Sequence, residues 1–212
     1  MDQITSDLGA APEPAERRRL PPEERRRQIV EGAVTFFADV GLDGKTRDLA
    51  KRLGITQSLL FNYFANKAEI IEAVYAHVYL DRLSEDWPRR LTDRSVPLRE
   101  RLLTFYSEYS ELIFEYEWMR IFMFSGLAGA ALNRRYLDHM GTVILLPLLE
   151  EIRADAPGPV APEIEMEDIW NLHGGIVYIG IRRHIYQVPT PEDPSRAIER
   201  SVDRFLQSFG LV

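Results

Sequence analysis

The sequence contains no cysteine, which excludes disulfides and thiolate-bound metals. Its histidines, His77, His139, His173 and His184, are scattered without metal-ligand spacing. No Glu-x-x-His pair is present to build a di-iron bundle. A glycine-rich phosphate loop and a Gly-x-Ser-x-Gly elbow are also missing. No catalytic, metal or cofactor residues are therefore expected, and no enzymatic activity. No apolar run reaches the length that spans a bilayer, so no membrane association is expected. The opening stretch MDQITSDLGAAPEPAERRR has charge but no apolar centre, so a secretory signal is not expected and a cytoplasmic location is. Strand-period runs and internal repeats are absent, leaving helical periodicity as the one regular signal.

Positive charge is also scarce, with 26 Lys and Arg against 33 Asp and Glu. The deficit is unevenly spread. Between Arg17 and Lys67 there are 11 basic and 6 acidic residues, whereas from Ala68 onward there are 15 basic and 23 acidic. Such asymmetry points to a nucleic-acid partner for the basic part. The acidic remainder discourages loose binding over the whole surface. At 212 residues, with 45% hydrophobic content, the chain can bury one large core or two modest ones.

The most informative stretch is TRDLAKRLGITQSLLFNYFANK, Thr46 to Lys67. Thr46 is an N-cap type, and Leu49, Ala50 and Leu53 give the following helix one apolar face. Gly54 can adopt the left-handed conformation that ends it. Thr56 caps a second helix of about two turns, Gln57 to Phe64, and Asn66 caps a third. Ala50, Gly54 and Leu60 fall where a helix-turn-helix needs a small residue, a turn residue and a core plug. Leu60 and Phe64, four apart, face inward. Gln57, Ser58, Phe61 and Asn62 lie on the opposite face, which in a helix-turn-helix enters the major groove. The alternative is a helical protein-interaction module that uses the same fold without reading DNA.

With the helix before it ending near Val40-Gly41, the run TRDLAKRLGITQSLLFNYFANKAEII resembles the N-terminal domain of the TetR family of bacterial transcriptional regulators. The resemblance covers roughly residues 24 to 75. It departs from the family pattern at Phe61, often tyrosine there, at Asn62 in place of a common histidine, and at Ser58-Leu59 in place of Gly-Thr. These departures alter which operator is read. Arg47, Tyr63 and Lys67 are expected on phosphates, with the caps and amides at Thr46 and Asn66. Gln57 and Asn62 can offer an amide to adenine, and Leu59 or Phe61 can touch a thymine methyl, although Leu59 is also a core candidate.

The expected fold is all-α. Residues 1–22 form a disordered basic arm carrying Arg17-Arg18-Arg19, and 23–68 the helix-turn-helix DNA-binding domain. Residues 69–84 form an unbroken connecting helix, and 85–212 an effector-binding and dimerisation domain. Trp87-Pro88 punctuates a loop, and Pro147 kinks the helix Leu132–Asp155. The helix Ile164–Tyr186 is apolar all round and should be buried on every side. With the stripe of the last helix it suggests a four-helix interface between subunits, placed on Ile176, Ile179, Gly180, Ile198, Val202, Phe205 and Phe209; an internal core is the alternative. Trp118, Phe122, His139, Trp170, His173 and Tyr178 are candidates to line a pocket for a small, largely apolar effector. The resemblance implies a ligand-responsive repressor: a homodimer bound to a near-palindromic double-stranded operator and released by the effector.

Overall fold

In a computed structural model, residues 20–129, 131–156, 158 and 164–211 are described. The expected arm carrying Arg17 to Arg19 lies outside them. Among the described residues the chain is all-α. Helix α1 (Pro22–Val40) starts with a proline in its first turn and with Glu23 and Glu24 beside the positive end of the helix dipole. It buries Ile29, Ala33, Phe36 and Phe37 against α2 (Thr46–Arg52), α3 (Gln57–Phe61) and α4 (Lys67–Val78). At Gly32 an added Cβ would meet Leu53 Cδ2 at 2.1 Å, so the Leu53 side chain occupies the space beside Gly32 and would have to move for any larger residue there.

The turn after α2 closes as the sequence predicts. Gly54 takes φ 65°. Its N–H donates to the Lys51 carbonyl at 3.1 Å, while Ile55 N–H donates to that of Ala50 at 3.0 Å. This pair of bonds is the Schellman motif, which needs a left-handed residue at that position. The Thr56 hydroxyl accepts from Leu59 N–H at 3.0 Å, and the Asn66 side chain accepts from Glu69 N–H at 3.0 Å. These two of the three expected caps are present; the third, Thr46, is not, because the cap position of α2 is Lys45.

The expected two-turn helix to Phe64 is corrected, because α3 ends at Phe61. Asn62 N–H bonds back to Ser58 and Leu59, and Tyr63 N–H to Leu60, tightening the chain so that Phe64 turns inward. The unbroken connecting helix to residue 84 is also corrected. Helix α4 stops at Val78 and a 3₁₀ turn follows at Leu80–Arg82. Tyr79 sits at the break, its ring buried among Trp118, Tyr136 and Tyr75 and its hydroxyl donating to the Trp118 carbonyl at 3.0 Å. Seating that ring takes the backbone out of helical register.

Trp87-Pro88, expected in a loop, opens a short helix, α5 (Trp87–Leu91). Proline suits a first turn, where its missing N–H has no partner to lose. Then come α6 (Leu98–Ile113) and α7 (Tyr116–Leu127). Helix α8 (Ala131–His139) runs through a π-helical stretch, Met140–Leu145, into α9 (Leu146–Asp155). The kink expected at Pro147 is thus spread upstream, where widened winding clears the proline ring. Helices α10 (Met166–His184) and α11 (Ser195–Ser208) complete the chain. Full burial of α10 is corrected: Asn171, Gly174, Gly175 and Tyr178 form an exposed strip along it. Among the described residues, no helix is long and apolar enough to cross a membrane.

Candidate nucleic-acid interface

Helices α2 and α3 present a contiguous polar face. Gln57, Ser58, Phe61 and Asn62 are exposed side by side on α3 and its cap, while Leu60 behind them is fully buried. Leu59 and Tyr63 are half-buried at the edges. Phe61, at 40% exposure, is a large apolar ring left in water. Such a ring suits contact with a thymine methyl in the major groove. Arg47 is exposed beside this face, and Lys67 is half-buried in the first turn of α4.

Two details lay beyond the sequence. Thr46 does not cap α2, whose cap position is Lys45; its hydroxyl instead accepts from the Gln57 side-chain amide at 3.0 Å. That bond ties the Gln57 side chain to the start of α2. Within the basic triplet of α1, Arg26 stacks over the Phe64 ring at 4.7 Å, while Arg25 donates to Gln28. Arg26 is thereby turned toward the core beneath the helix-turn-helix.

Helix α7 grips the far end of α1. Arg120 Nε donates to the Ala38 carbonyl at 2.5 Å, taking up an acceptor that the helix end leaves open. Its guanidinium lies over the rings of Tyr116 and Phe124. Phe124 packs against Gly41, where φ is 85°. The Tyr116 hydroxyl donates to Asp39 at 3.2 Å, and Arg52 at the end of α2 pairs with the same carboxylate at 2.6 Å. The Arg52 hydrogen bond holds the Asp39 carboxyl below its usual pKa. One acidic side chain thus joins α1, α2 and α7.

The candidate effector residues divide among four places. Trp118 and Phe122 stack at 5.1 Å in an aromatic core with Tyr79 and Tyr136. His173 lies among Tyr106, Tyr109 and Trp170, its Nε2 at 3.4 Å from the Tyr109 hydroxyl. Burial lowers the His173 pKa to about 4, so the ring is neutral at pH 7. His139 is exposed on the rim of a separate cleft. Tyr178 is corrected as a pocket residue: it is 48% exposed and meets Tyr186 and Arg182 at the surface.

Five of the seven expected interface residues lie inside the chain, which favours the internal-core alternative for them. Ile176, Ile179, Ile198 and Val202 are buried in the chain's own core, and Gly180 faces Met119 and Phe114. The apolar stripe of α11 and the matching side of α10 pack on α6, α7 and each other, which consumes them. Phe205 and Phe209 remain half-buried in a groove that Asn171 and Gly175 also line.

Residues 29–74 match the family model described as bacterial regulatory proteins, tetR family. The HTH-type transcriptional regulator LuxR of Vibrio harveyi is 27% identical over 168 residues, covering 76% of this chain and 80% of that protein. The HTH-type transcriptional repressor KstR2 of Mycolicibacterium smegmatis is 23% identical with the same coverage. A TetR-like transcriptional regulator from Rhodococcus superposes with a TM-score of 0.66 at 18% identity, over 89% of this chain and 99% of that one, and so shares its fold. All three relatives are named as transcriptional regulators or repressors. Residues 29–74 thus carry a helix-turn-helix domain of the bacterial tetR regulatory type, and the chain as a whole is similar in sequence to HTH-type transcriptional regulators and shares the all-α fold of TetR-like structures.

Proposed function

We propose that the protein is a homodimeric repressor that holds a near-palindromic operator and is released by a small-molecule effector. The observation that carries the DNA reading is the exposed row Gln57, Ser58, Phe61 and Asn62 backed by the buried Leu60. Asn62 reads a base, while Arg47, Tyr63 and Lys67 hold phosphates, with Thr46 fixing Gln57 and Ser58 and Leu59 at the groove edge. The expected division into residues 23–68, 69–84 and 85–212 assigns reading, connection and effector response to successive parts.

Base and phosphate contacts are separable by experiment. Asn62→Ala should cost about 1–3 kcal/mol at particular base positions and little elsewhere. Lys67→Ala should weaken every sequence alike and reduce the slope of log affinity against log salt by about one. Gel-shift titrations over single-base operator variants and several salt concentrations measure both. Equal losses on all sequences for Asn62→Ala would remove it from base reading.

The effector's leverage on DNA runs through two joints. One is α4 with its irregular end at Tyr79; the other is the grip of α7 on α1. An effector that prefers a different orientation of these joints lowers operator affinity by its differential affinity for the two states. Arg120→Ala removes the hydrogen bond to Ala38 and the ring contacts together. It should leave discrimination at Asn62 unchanged but weaken the preference for one half-site spacing, read by comparing operators lengthened or shortened by single base pairs. An unchanged spacing preference would show that α4 alone orients the reading heads.

The partner face is best placed on the exposed strip Asn171, Gly174, Gly175 and Tyr178, with Phe205 and Phe209 beside it. Small residues there allow close helix approach. A pair of reading helices about 34 Å apart would then meet successive turns of one duplex face.

A further inference from the structure

A cleft of about 350 Å³ opens at the foot of α4. One wall is Leu80, Leu83 and Trp87, from the segment that follows the break at Tyr79; the other is Met140, Val143 and Ile144 of the π-helical stretch. Leu80 is 42% exposed, an apolar side chain left in water beside the opening. The polar groups at this cleft are few: Ser84, Glu85 and His139. Glu85 is the one acidic side chain among the lining residues, and no Lys or Arg lines the cleft. The arginines near Glu85 in sequence are engaged elsewhere: Arg82 with Glu115, Arg89 with Asp86 and Arg90 with Glu108. The chain from Ala68 onward carries 23 acidic against 15 basic residues, so the surrounding field also favours a cation.

We propose that this cleft binds an apolar small molecule bearing one protonated amine, the apolar body between Trp87 and Val143 and the ammonium at Glu85. The proposal rests on the effector-responsive reading above and gives that effector a site and a chemistry. Its position supplies the consequence: one wall continues directly from α4, and the opposite wall is a π-helical stretch, a winding that is rare and frequent at functional sites. An occupant wedged between them displaces the end of the helix whose first turn holds Lys67.

Three probes of one shape and different charge test it on the full chain: 1-naphthylmethylamine, 1-naphthalenemethanol and 1-naphthoic acid, titrated by calorimetry. The amine should bind tightest and the acid weakest. Glu85→Gln, at an exposed position, should lower amine affinity about fivefold, to the level of the alcohol, and leave the alcohol unchanged. Val143→Phe should reduce binding of both, with circular dichroism confirming the fold; Glu85→Gln carries the test if that variant does not fold. The proposal is overturned if the acid binds as well as the amine, if Glu85→Gln leaves amine affinity unchanged, or if none of the three binds at millimolar concentration. A gel shift with and without the amine separates the two layers. Binding as expected with unaltered operator affinity keeps the site and removes the effector-release reading.

Discussion

Gly175→Glu should leave the subunit folded and lower operator affinity by about 10²- to 10⁴-fold, the range lost when two linked binding modules are separated. A Cβ added at Gly174 or Gly175 meets nothing within 4 Å. Replacing glycine inside a helix should, if anything, stabilise the subunit by some tenths of a kcal/mol. The cost falls on pairing. Gly175 lies in the groove of α10 and α11 beside Phe205 and Phe209, whose rings meet edge-on at 5.4 Å. A carboxylate placed there must be desolvated against the partner, and Arg204, which lines the same groove together with Asp168, offsets that cost only in part. Sedimentation equilibrium should show a dimer for the parent and a monomer for the variant, with unchanged helicity by circular dichroism. A variant that remains dimeric and binds DNA normally would place the interface elsewhere.

The second large effect concerns the buried ion cluster under α5. Glu151, with a 9% exposed side chain, accepts from Arg101 at 2.9 Å and from Arg94 through two bonds of 2.9 Å. The Arg101 side chain is only 2% exposed and also donates to the Leu91 carbonyl at 2.6 Å. Removing one partner of such a pair leaves a buried charge uncompensated, at a cost of about 3–5 kcal/mol. Glu151→Ala should therefore unfold at markedly lower urea concentration, although Asp155, 3.4 Å from Arg101, offsets part of the loss. A change below about 1 kcal/mol would mean that water reaches Arg101, as it does in exposed pairs.

The same carboxylate makes stability depend on pH. The Arg94 hydrogen bond, opposed by desolvation and aided by Arg101, holds the folded-state pKa of Glu151 below its usual 4.5. A depressed folded-state value means that the unfolded chain takes up the proton first as pH falls. The contribution of Glu151 is thus complete above about pH 4.5 and is lost below it, as pH falls through the folded-state value. Denaturation midpoints of the parent and Glu151→Gln should converge as pH drops through that window.

Local signals in the sequence carried the DNA-binding half. Gly54, Thr56 and Asn66 act through bonds to neighbours a few residues away, and each adopts the role its side-chain chemistry suggests. Leu60 and Phe64 are buried as their spacing implies. The second half was legible as helices but not in its packing. An apolar residue signals burial without saying against what, so Ile176 and Val202 read as interface, with core as the alternative, and are core. The break at Tyr79 depends on a pocket built by Trp118 and Tyr136, dozens of residues away. No local pattern encodes it. The Asp39 junction escaped for the same reason, since Arg52, Tyr116 and Arg120 are ordinary surface types until the fold brings them to one helix end.

The most direct test is to select DNA from random duplexes with the purified protein and sequence what is retained. The account predicts an inverted repeat whose half-site centres lie about 10–10.5 base pairs apart, recovered less well as salt rises and altered at defined bases by Asn62→Ala. Recovery of no common motif, or of a lone half-site bound by a monomer, would contradict it.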